Sequence, residues 1–95
     1  MSLLKPRAMR VVSKGFDLRQ KKEAETGERL SLEDISKETE LSRMTVRRFI
    51  VNRDADVSGS PLLAAAVVAG YFGVPLGDLL VVEEAPSVEG QEAAA

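Results

Sequence analysis

The sequence predicts a mainly α-helical domain of five helices, carrying a small two-stranded β ribbon made from its N- and C-terminal segments. Three observations predict it. Serines at 31, 42 and 60 each open a segment with helical spacing or helix-forming composition. Two short β-branched runs, "MRVVS" and "LLVVEE", lie at opposite ends, and each needs a partner strand. Ninety-five residues with 44% apolar content suffice for one small core, expected over residues 1–84, followed by a flexible acidic tail over 85–95.

Taken in order, residues 8–14 carry Val11 and Val12 and are expected to form a strand that stops at Gly15. "DLRQKKEAET", from Asp17 to Thr26, is rich in helix formers, and Gly27 is positioned as its stop. "SLED" sets the Ser31 hydroxyl three residues before Asp34, a variant of the capping box, so a second helix begins at Leu32. Its inner side is Leu32, Ile35, Ser36 and Thr39, with Lys37 and Glu38 outside. Ser42 caps a third helix of about 42–51, in which Val46, Phe49 and Ile50 make an i, i+3, i+4 stripe. Residues 52–59 are polar and read as a loop. Ser60 and Pro61 supply an N-cap and a first helical residue for "LLAAAVVAGYF", apolar nearly all round and therefore a core helix that Gly73 closes. Tyr71 and Phe72 fall at core positions. "VPLGDLL" reads as a short fifth helix running into an edge strand.

Charge is distributed unevenly. Residues 1–53 hold thirteen basic and eight acidic side chains, whereas residues 54–95 hold seven acidic and no basic ones. The first half therefore favours an anionic partner, although the chain as a whole is at −2. With neither cysteine nor histidine, disulfides, thiol and imidazole catalysis and the common zinc sites are excluded. No catalytic residue, cofactor or metal is expected: Asp54 and Asp56 lack further oxygen ligands, and adjacent pairs such as Glu33/Asp34 and Glu83/Glu84 do not converge. Residues 61–77 are uncharged, but Pro75, three glycines and the lack of any later basic anchor argue against a membrane span, and the first ten residues lack the apolar core of a signal peptide. A cytoplasmic, non-enzymatic protein is expected.

Functional content concentrates between Leu30 and Val51. Ile35, Leu41, Val46 and Phe49 fall where a helix-turn-helix needs apolar anchors, and small Ser36 where the helices cross. The remaining face is Ser42, Arg43, Met44, Thr45, Arg47 and Arg48, with no carboxylate between Leu41 and Arg53.

The stretch "LSLEDISKETELSRMTVRRF", Leu30 to Phe49, resembles the lambda-repressor-like (Cro/repressor, XRE-type) helix-turn-helix family, whose members read LS-x-E-x-I/L-A/S-x-x-T-G-L-S-x-x-T-V/I-x-R. "LLAAAVVAGYFGVPLGDLL", Leu62 to Leu80, is similar to that family's fourth and fifth helices. The resemblance implies a five-helix lambda-repressor-like fold and sequence-specific binding of double-stranded DNA by a small transcriptional regulator, a repressor by analogy, acting as a homodimer. On it, Ser42, Arg43, Met44 and Arg47 read bases from the major groove, and Thr45, Arg48, Arg53 and Lys37, with Arg29 nearby, hold phosphates. Three departures stand out. Glu40 occupies the turn position where relatives have glycine; Leu32 replaces a frequent phosphate-binding glutamine; and Asp54 and Asp56 would repel phosphate unless Arg53 offsets them. Two alternatives remain open: an antitoxin or phage-type accessory protein that binds DNA and a protein partner, and a protein-interaction module that keeps the fold without the DNA. Against DNA binding stands the ordinary fate of such arginines, a solvated helix face paired with Glu38 or Glu40.

Overall fold

A computed structural model describes residues 9–84. Within them lie five helices and a three-stranded antiparallel sheet: β1 (Met9–Ser13), α1 (Gly15–Thr26), α2 (Leu32–Thr39), α3 (Arg43–Ile50), β2 (Ala55–Asp56), α4 (Leu62–Phe72), α5 (Leu76–Leu79) and β3 (Leu80–Glu84). The tail expected over 85–95 and Ala8 of the first strand lie outside the described residues.

The mainly helical class and the pairing of the two terminal strands are as the sequence predicts. β1 runs antiparallel to β3, with Arg10 opposite Glu83 and Val12 opposite Val81. Two corrections concern the sheet. The polar loop at 52–59 contributes a third strand, β2, so the order is β2-β1-β3 and the ribbon is a sheet with β1 at its centre. Its two residues carry no strand signal of their own; pairing with β1 makes them a strand, and the Val57 N–H extends the contact by donating to the Val11 carbonyl at 2.8 Å. Gly15, expected to stop the strand and stand outside the helix, is instead the first residue of α1.

The helical layer closes on Ile35, Val46, Phe49, Ile50, Val68 and Leu79, all fully buried. Each such side chain stabilises the fold by about 1.5–3 kcal/mol through loss of apolar surface from water. Gly27 and Gly73 end α1 and α4 in the left-handed region, φ 76° and 70°, as helix-stopping glycines do. At the start of α4 the expected roles shift by one residue: Pro61 is the N-cap, no side chain caps the helix, and Ser60 stands outside it. Nor is α4 buried on every side. Ala64, Ala65, Val68 and Ala69 face inward, whereas Leu62 and Leu63 are 65% and 76% exposed. Tyr71 and Phe72 are half-buried rather than central, packed edge to face at 5.2 Å. No helix among the described residues is long and apolar enough to cross a membrane.

Candidate nucleic-acid interface

The site is built from the way α2 hands over to α3. The Ser31 hydroxyl accepts from the Asp34 N–H at 3.0 Å, and the Asp34 carboxylate accepts from the Ser31 N–H, completing the capping box. After eight helical residues the helix ends at Glu40, whose backbone turns left-handed at φ 62°, ψ 23°, and whose N–H still donates to the Ser36 carbonyl. The turn is held by side chains as well. The Ser36 hydroxyl donates to the Leu41 carbonyl, and the Leu41 N–H donates to the Thr39 hydroxyl at 3.3 Å. Ser42 then caps α3 by accepting from the Thr45 N–H at 3.1 Å, while its hydroxyl contacts that of Thr45 at 2.9 Å. Two capped helices joined by three residues result, locked by Ile35 against Val46 and Phe49 in the core.

That lock fixes which side of α3 faces out. Arg43, Met44, Arg47 and Arg48 are exposed, and Met44 is 72% accessible despite being apolar. Among the described residues no carboxylate lies within ion-pair distance of Arg43, Arg47 or Arg48, so pairing with Glu38 or Glu40 does not occur. Arg48 donates to the Ser60 hydroxyl, at 3.4 Å. Leu32, at the start of α2, lines an open hollow of about 290 Å³ with Arg43, Met44 and Arg47.

The other expected contact residues are more scattered. Ser42 and Thr45 sit at the N-terminal end of α3 with their hydroxyls engaged in its cap. Lys37 lies on the outer side of α2, sharing a groove of about 410 Å³ with Arg29, Asp34 and Glu38. Arg53 is turned toward α1, where it pairs with Asp17 at 3.2 Å and lies 5.0 Å from the centre of the Phe16 ring. Its ion pair is therefore with α1 rather than with the loop acids it was expected to offset; its charge adds only a minor lowering of the Asp54 pKa, and closer groups do more. The Lys14 ammonium meets Asp54 at 2.7 Å, and this hydrogen bond holds the Asp54 carboxyl below, and the Lys14 amine above, their ordinary values. Asp56 accepts from the Ser58 hydroxyl and N–H, which lowers its pKa in turn.

Sequence reasoning missed what steadies the far end of α3. The buried Ser13 hydroxyl donates to the Phe49 carbonyl and accepts from the Gly15 N–H at 3.1 Å. A β-carbon on Gly15 would lie 2.3 Å from that same carbonyl oxygen, so the β1–α1 corner can approach α3 only because residue 15 has no side chain. A glycine between a strand and a helix former was the available signal; its partner, 34 positions downstream, had none.

Searches of family models, curated proteins and solved structures find no match to the chain.

Proposed function

We propose that the chain binds double-stranded DNA sequence-specifically as a small transcriptional regulator with a lambda-repressor-like helix-turn-helix, α3 entering the major groove. The observation that carries this is the outer face of α3: three exposed arginines without a carboxylate partner among the described residues, on a short helix whose orientation is fixed by buried Val46, Phe49 and Ile50. Exposed guanidinium groups on a helix anchored in the core suit the paired O6 and N7 acceptors of guanine, each good bidentate contact giving about 1–3 kcal/mol of discrimination. Arg43 and Arg47, one turn apart, are the base readers, with Ser42 and Met44 beside them. Arg48, Thr45 and Lys37 border the same helices and suit phosphate, whereas Arg53 would have to leave Asp17 to do so.

A homodimer accompanies this reading, because helix-turn-helix proteins read half-sites about 34–36 Å apart. β3 is a sheet edge with Val82 63% exposed, which supports a second copy at that strand. Exposed Leu62 and Leu63 favour, as a second reading, a DNA-binding accessory protein or antitoxin that also docks a protein partner.

Selection from a random-sequence duplex pool tests the first reading. The chain should enrich guanine-containing half-sites, and Arg43→Ala should lose about 1–3 kcal/mol on selected duplexes while losing little on unselected ones. No enrichment, or equal loss on both, would refute it.

A further inference from the structure

The hollow on the proposed reading face has a composition that phosphate or guanine alone does not explain. It is lined by two apolar side chains, Leu32 and Met44, and two cationic ones, Arg43 and Arg47. Leu32 is half-buried and rests on the core, so its position is set by the capped start of α2. Met44 projects from the exposed side of α3 into solvent, and its unbranched thioether adapts to whatever apolar group approaches.

A matching ligand presents hydrogen-bond acceptors to the arginines and one small apolar group to Leu32 and Met44. In the major groove, a guanine beside a thymine does so: O6 and N7 face the guanidinium groups, and the thymine C5-methyl group projects next to them. Cytosine or adenine in the thymine's place would bring an amino donor against carbon and two cations, leaving a donor with nothing to accept it. Resting on the DNA-binding reading above, we propose that Leu32 and Met44 form a thymine-methyl subsite, so that each half-site carries a thymine adjacent to a guanine read by Arg43 or Arg47.

The experiment takes duplexes selected from a random-sequence pool and resynthesises them with each thymine replaced, one at a time, by deoxyuridine, which removes only the methyl group. With the full chain, replacement at the thymine beside the arginine-read guanine is expected to weaken binding about fourfold, the equivalent of one buried methyl group. Met44→Ala, a change at an exposed side chain, should keep the melting temperature and bind the thymine and uracil duplexes equally. Indifference of the unsubstituted protein to every uracil replacement overturns the subsite, as does a Met44→Ala protein that retains the full fourfold preference. Failure to retain any duplex at low salt overturns the DNA-binding reading and the subsite together, whereas loss of thymine discrimination alone leaves that reading standing.

Discussion

Glu40 occupies the one backbone position between α2 and α3 that must turn left-handed, at φ 62°. A residue with a β-carbon adopts that conformation at a cost of about 1 kcal/mol relative to glycine. Glu40→Gly should therefore raise stability by about 0.5–1 kcal/mol in urea unfolding, with the helical signal unchanged; a neutral or destabilising result would mean that the strain is absent. Gly15 presents the reverse case. Gly15→Ala pushes a methyl group against the Phe49 carbonyl and Ile50 Cγ2, and should cost at least about 1–3 kcal/mol by the same measurement. The Glu40 turn was legible through the family resemblance, which places a glycine at that position of the turn. Gly15 was not, because its constraint comes from a segment distant in sequence.

Elements with local punctuation were legible, and those defined by neighbours were not. Ser31 and Ser42 announce α2 and α3 through hydroxyls that bond two or three residues ahead, and both caps are present. Ser60 carries the same signal without the outcome, since Pro61 takes the cap position and the Ser60 hydroxyl turns toward Arg48. The two serines should respond differently: Ser31→Ala is expected to lower thermal stability by about 1 kcal/mol, and Ser60→Ala to change it by less than about 0.5 kcal/mol. Equal losses would restore Ser60 as a cap. β2 escaped notice because an alanine and an aspartate become a strand only beside β1. The uneven exposure of α4 escaped for another reason: a uniformly apolar helix has no periodicity to say which side faces the core. On the candidate interface, the arginines and their anchors were readable from the 3.6-residue period, but the redirection of Arg53 to Asp17 and Phe16 depends on how α1 packs beside the loop after α3.

Across the whole molecule, the division of charge at Arg53 acquires a structural meaning. Loop and strand acids of the second half are met by basic residues of β1 and its flank: Arg10 with Glu83 at 2.7 Å and Lys14 with Asp54. Among the described residues the α3 arginines have no such partners. These surface pairs are weak, because solvent screens the attraction and holding two long side chains together costs entropy. Their pH dependence follows from the shifts. Asp54, lowered from 3.8, contributes fully above that value and loses its contribution as pH falls through the lowered pKa; Lys14, raised from 10.5, contributes below that value and loses it as pH rises through the raised pKa. With no histidine or cysteine in the chain, thermal stability should be level between about pH 5.5 and 9 at fixed ionic strength. A step in that interval by calorimetry would reveal a titrating group outside this account.

The central claim, that the exposed arginines of α3 meet DNA, is tested most directly by the salt dependence of duplex binding. Each phosphate neutralised contributes about 0.9 to the slope of log affinity against log salt. The full chain should show a steep negative slope, and the Arg47→Ala, Arg48→Ala double variant a shallower one, reduced by about one to two, with its melting curve preserved. A folded double variant whose slope equals that of the unsubstituted protein would contradict the account.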